Sequence, residues 1–241
     1  MFKKFFPTKI LSLSNNIFTI LLVLMVSVIT VGLINALVTS PPDAIQGDSV
    51  RIMYVHVPSS FIAMGCFAFI GIASVGSLIF KIKIFPLMSK SIAPVGSIFC
   101  LISLITGSLW GKPTWGTFWV WDARLTSMLI LLLFYFVYML IWKFIRNFEK
   151  ANKISSIIAI LGSLNLLIIK YSVDWWNTLH QPSSITFTSA PTIHYTMLIP
   201  LILMMVGLII FTIIIFLMKY KTEIIKFKIN KKIKKKNYNN F

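Results

Sequence analysis

Residues 101–142 read LISLITGSLWGKPTWGTFWVWDARLTSMLILLLFYFVYMLIW. An apolar run gives way at Trp110 to a tryptophan-studded, polar-edged break, and a second apolar run follows from Leu125. The first run begins near residue 87 and the second ends near 142, so each is long enough to cross the ~30 Å hydrocarbon core of a bilayer as a helix. The break must therefore lie at one membrane surface.

The same alternation extends in both directions. Six apolar segments, at 17–38, 54–80, 87–109, 125–142, 154–170 and 194–218, predict six transmembrane helices. The chain has 241 residues, of which 57% are hydrophobic and only 12% charged, about half the charge of a soluble domain. Mean hydropathy is +0.87. The fold class is an all-α integral membrane protein, because a helix satisfies its own backbone in lipid; the alternating pattern of a β-barrel is absent. The N-terminus is basic and then apolar for longer than a cleaved signal allows, which predicts a retained first span.

Charge sets the expected orientation. Lys3, Lys4 and Lys9, then Lys81, Lys83 and Lys90, then Lys143, Arg146, Lys150 and Lys153, then the nine lysines from Lys219 onward, all fall on one side. Only Arg51, Lys112, Arg124 and Lys170 fall on the other. The positive-inside rule puts both termini in the cytoplasm or matrix and the loops 39–53, 110–124 and 171–193 outside. Residues 1–218 then form a membrane domain, and 219–241 a basic, flexible tail held near anionic headgroups. The net charge of +17 does not indicate nucleic acid, since no aromatic platform accompanies the lysines. No P-loop is present, because Gly111-Lys112 runs into Pro113 and lacks the upstream glycine spacing. Cys66 and Cys100 sit in apolar runs without a C-x-x-C, as buried free thiols do. Ionisable residues are missing from the span interiors, which argues against an ion-coupled permease.

The unusual residues gather outside. Of seven tryptophans, Trp110, Trp115, Trp119 and Trp121 share one loop, and Trp175 and Trp176 the next; only Trp142 is at the inner surface. An interfacial belt would populate both surfaces. A helical loop would put Trp115 and Trp119 on one face; an extended one would pair Trp119 with Trp121. Gly111 and Gly116 permit close backbone approach. All three histidines are also on this side. Pro58 places the start of the second helix near Val57, with His56 at its outer end; His180 lies in the third outer loop, and His194 at the entrance to the last span. Imidazoles beside a flat aromatic surface suit heme, a planar macrocycle whose iron accepts axial histidines. Arg51, Lys112 and Arg124 are cations for its propionates, although Arg124 has a simpler partner in Asp122. Quinone and lipid headgroup remain open on composition and spacing alone.

WGTFWVWDARLTS, Trp115–Ser127, resembles the tryptophan-rich WWD signature of the heme-handling protein family. The WDARLTS ending and six spans resemble its cytochrome c maturation protein C (CcmC) branch, as do MYVHVPSS at Met53–Ser60 and WWNTLHQP at Trp175–Pro182. The resemblance covers spans two to six. It implies a transient heme b on the outer face, with His56 and His180 as axial ligands. Trp110, Trp115, Trp119, Trp121, Asp122, Arg124, Arg51, Trp175 and Trp176 would cradle the ring. It further implies delivery to the membrane-anchored heme chaperone CcmE, with the ABC-type subunits CcmA and CcmB and the small protein CcmD as partners. The expected protein is a carrier and assembly factor rather than an enzyme. Its membrane would be the bacterial inner membrane or the mitochondrial inner membrane. The competing expectation is a structural subunit of an ABC-type transporter without its own ligand site. His194 lies outside the three motifs and stands as a candidate either for supporting the ligand-holding residues or for gating.

Overall fold

The computed structural model describes residues 15–181 and 190–238. Lys3, Lys4, Lys9 and the 182–189 part of the third loop, including Pro182, lie outside the described residues, as do the side chains of Lys234, Lys235 and Lys236. Six long helices follow in order: α1 (Asn15–Ile34), α2 (Met53–Phe80), α3 (Ile84–Trp115), α4 (Ala123–Phe144), α5 (Phe148–Trp175) and α6 (Tyr195–Tyr238). All six are long and apolar enough to cross a membrane, as the sequence predicts. A π-helical turn, Asn35–Thr39, extends α1, and a 3-10 turn, Asp48–Ile52, leads into α2.

The helix ends differ from the sequence reading, each for a local reason. α2 starts at Met53 rather than near Val57, so His56 is inside its first turn. The 3-10 turn feeds straight into the helix, and Pro58 is accommodated within it at the cost of one backbone bond. Neighbouring helices make such interruptions tolerable in membranes. α3 runs past Leu109 and through Pro113 to Trp115, so the first two tryptophans of the expected loop are helical. Gly116 then ends it at φ 79°, its N–H reaching the Lys112 carbonyl at 3.1 Å. A left-handed cap of this kind is where glycine carries no Cβ penalty. After a short extended stretch, Asp122 caps α4 by accepting the Leu125 N–H at 2.7 Å. α5 likewise extends through Trp175, placing that indole on its last turn.

The core is the contact of α2 with α3, α4 and α5. Ala63, Phe67 and Ile70 meet Ala93, Cys100, Leu131 and Tyr135, and both cysteines are buried free thiols, as expected. Small and hydroxyl residues supply the close contacts and hydrogen bonds on which helix association in lipid depends. Examples are Ser60 with Ser103 and the Asn165 amide on the Ser127 carbonyl at 2.8 Å. α1 packs mainly on α6, where Gly32 faces Met204 and Gly207 faces Ile29, and it leaves most of its apolar surface exposed. α6 crosses position 218 without a break. Its Tyr220 and Ile224 are buried against Leu87, and Glu223 pairs with Lys90 at 2.7 Å.

Candidate functional site

A cavity of about 510 Å3 opens where α3 and α5 end beside the starts of α2, α4 and α6. Its volume falls within the range of small-molecule and cofactor sites. His56 enters from α2, Trp110 and Trp115 from α3, Arg124 from α4 and Lys170 from α5; His180 closes it from the following segment. Met64, Leu104 and Met128 form an apolar interior.

His56 is held on rigid structure. Its Nδ1 lies 3.0 Å from the Ser103 carbonyl oxygen and 3.1 Å from Thr106 Oγ1, both on α3. A carbonyl oxygen can only accept, so Nδ1 carries the proton and Nε2 keeps its lone pair. Gly107 makes this possible: a Cβ there would stand 2.8 Å from His56 Cε1. Trp110 meets the imidazole edge-on at 5.7 Å, and its own indole N–H donates to Gln46 Oε1 at 2.8 Å.

His180 is held by a carboxylate. Its Nδ1 is 3.2 Å from Asp122 Oδ2, while the Trp115 ring lies edge-on at 4.7 Å. The Asp122 side chain is only 6% exposed, and its other oxygen is the α4 cap. Burial pulls the His180 imidazole below its ordinary pKa; Asp122 pulls it up, and Arg124 adds to the lowering. The net direction favours the neutral ring, the form that can ligate a metal. In both histidines the described hydrogen bonds use Nδ1, leaving Nε2 for a ligand.

Among the described residues no three His, Cys, Asp or Glu side chains gather as a metal-binding group. Two imidazoles form no closed ion site, but they suit a metal that arrives with its equatorial ligands already filled. Arg124 and Lys170 add positive charge to the cavity wall, the first anchored by Nε on Ser172 Oγ at 3.1 Å.

Several candidates from the sequence stand elsewhere. Arg51 bonds Asp48 at 2.9 Å and the Ala36 carbonyl at 2.7 Å, tying the α1 extension to the turn before α2. Lys112 donates to the Gly116 carbonyl and covers the Phe118 ring. Trp119 and Trp121 pair edge-on at 5.4 Å beyond the cavity lining, as the extended reading of the loop requires. Trp175 and Trp176 also lie outside the lining; Trp175 stacks on Tyr171. Asp122 pairs with His180 rather than with Arg124. His194 is exposed and sits just ahead of α6, where its carbonyl accepts from Met197 and Leu198 and its Nδ1 meets Thr196. Lys170, counted in the sequence only as an outer-side charge, and Gln46 were not among the site candidates. Lys170 had a signal, as a lone cation ending an apolar span on the lysine-poor side; Gln46 had none.

Fold and site together define a polytopic helical membrane protein with a cavity lined by two histidines at one end of its bundle. The family model described as CcmC, heme exporter protein C, matches residues 1–235. The chain is 37% identical to a heme exporter protein C of Bradyrhizobium diazoefficiens over 220 residues, 91% of this chain and 83% of the relative. It is 42% identical to one from Haemophilus influenzae over 196 residues, 81% of this chain and 80% of the relative. It is also 44% identical over 193 residues to a Marchantia polymorpha protein described as a ccmC-like mitochondrial protein of cytochrome c biosynthesis, covering 80% and 82%. The chain belongs to the CcmC family.

Proposed function

We propose that the protein is a non-catalytic heme carrier of cytochrome c biogenesis, holding heme in this cavity with His56 and His180 as axial ligands. One observation carries the reading: two imidazoles from separate elements line one cavity, each with Nδ1 engaged by a protein acceptor. Such partners fix the ring and raise its basicity as a metal ligand. The edges of Trp110 and Trp115 then bound the porphyrin, and Arg124 and Lys170 meet its propionates. The bundle's lysine-rich end, with both termini, faces the cytoplasm or matrix, and the cavity faces the periplasm or intermembrane space.

Delivery calls for an accessible edge. Phe118 and Trp121 are 52% and 76% exposed on the segment that joins α3 to α4. This apolar surface suits contact with the heme chaperone CcmE as a vinyl edge is presented to it. CcmA, CcmB and CcmD complete the assembly, with ATP hydrolysis left to a partner. Membership of the CcmC family and its relatives' names support this reading over a purely structural subunit. The test is the absorbance spectrum of the purified full-length protein. A bis-histidine Soret band is expected, and it should be lost in His56→Ala/His180→Ala. A band unchanged in that variant would reject axial ligation by the pair.

A further inference from the structure

A second cavity, of about 380 Å3, lies at the other end of the bundle, between the α2–α3 turn and the first turns of α5. Lys81, Lys83 and Lys153 line it together with one acid, Glu149. Lys83 and Glu149 pair at 2.8 Å, which satisfies one cation. Among the described residues, the ammonium groups of Lys81 and Lys153 have no hydrogen-bond or ion-pair partner. The pocket thus holds an excess of two positive charges.

The backbone adds an independent observation. Lys81 caps α2 at φ 53° and ψ 30°, with its N–H on the Ser77 carbonyl at 3.0 Å. Among the described residues it is the one non-glycine with positive φ. Glycine would occupy such a cap without strain. A lysine standing there at a conformational cost points to a use for its side chain.

The remaining lining is amphipathic. Ser77 and Asn152 hydrogen-bond each other across α2 and α5, at 2.9 and 3.1 Å, and give one polar wall. Leu78, Ile82, Pro86 and Phe148 give an apolar one. Ile79 and Phe80, next to the pocket, are exposed at the end of a membrane-spanning helix, where lipid must cover them. Cations at headgroup depth beside apolar surface match a phospholipid, with its phosphate against lysines and its glycerol and chains against hydrocarbon.

We propose that this pocket binds the phosphodiester headgroup of an anionic phospholipid, with Lys81 and Lys153 as the charge partners of the phosphate. The site is separate from the histidine cavity and does not rest on the heme reading.

The test is native mass spectrometry of the full-length protein after delipidation. Phosphatidylglycerol, cardiolipin, phosphatidylcholine or inorganic phosphate is added back in separate arms. Retention of the anionic lipids over phosphatidylcholine is expected, falling about five-fold for each lysine removed in Lys81→Gln and Lys153→Gln. Lys143→Gln/Lys150→Gln removes equal charge outside the pocket and should change nothing. Lys81→Gly should lose lipid while its thermal midpoint holds or rises, which separates side-chain binding from damage to the fold. Equal loss in the control pair would overturn the proposal, as would undiminished retention in the pocket variants. Inorganic phosphate that binds as well as the lipids and displaces them would reassign the pocket to a free anion.

Discussion

The two cavity histidines are held in opposite ways. His56 projects from the first turn of a transmembrane helix, and neutral acceptors on the next helix fix its Nδ1. His180 comes from a non-helical segment, and a nearly buried carboxylate fixes it. A helix supplies position through packing and needs only a carbonyl to choose the tautomer. A loop lacks that rigidity, so position and electronics must both come from one strong partner. A charge-assisted bond to Asp122 is about twice as strong as a neutral one. The pair should therefore be electronically unequal, with His180 the stronger donor to iron.

The largest effect is expected from Asp122→Asn. Asparagine caps a helix about as well as aspartate, so α4 should survive while the charge is lost. Heme affinity should fall by about 10–100-fold, the usual range for a partner behind a metal ligand, read by titration of the Soret band. In the same heme-free variant, His180 should titrate at lower pH than in the parent, because the lost carboxylate was raising its pKa. An unchanged titration by NMR would mean that Asp122 does not act on this ring, and an upward shift that it acts in the opposite sense.

Gly107→Ala attacks the other histidine through space alone. The added methyl would crowd His56 Cε1, and overpacking of this kind costs roughly 1–3 kcal/mol. A loss of about tenfold in heme affinity is expected, with His180 spectroscopically unaffected. Wild-type affinity would show that the α2–α3 contact yields easily and that the rigidity argued for His56 is overstated. Thr106→Val should matter less, about five-fold or under, because the Ser103 carbonyl still accepts from Nδ1. The smallest change should follow Lys170→Gln, a two- to three-fold loss that shrinks further at high salt. If it matched Asp122→Asn, charge at the rim rather than histidine geometry would dominate binding.

The six spans were legible because apolar length is a local property that lipid enforces. Their ends were not, because proline reads as a helix boundary in water, whereas Pro58 and Pro113 both lie inside helices here. The tryptophan cluster was visible as a unit, but Gly116 divides it. Trp110 and Trp115 sit on a helix at the cavity, and Trp119 and Trp121 lie beyond it on extended chain. The Asp122–His180 bond joins residues 58 apart, and no periodicity could reveal it. The Gly107–His56 approach is equally invisible, since it depends on how α2 crosses α3. His194 stands exposed at the entrance to the last helix, where the sequence had placed it.

Asp122 spends its two oxygens on two different structures, the α4 cap and the His180 ring. The consequence concerns which changes in chain length the protein can absorb. One residue inserted between 116 and 121 only lengthens a connection ahead of Asp122. One inserted between 122 and 125 moves the carboxylate off the helix axis and breaks both bonds together. Length variation among working variants should therefore accumulate before Asp122 and stop abruptly at it.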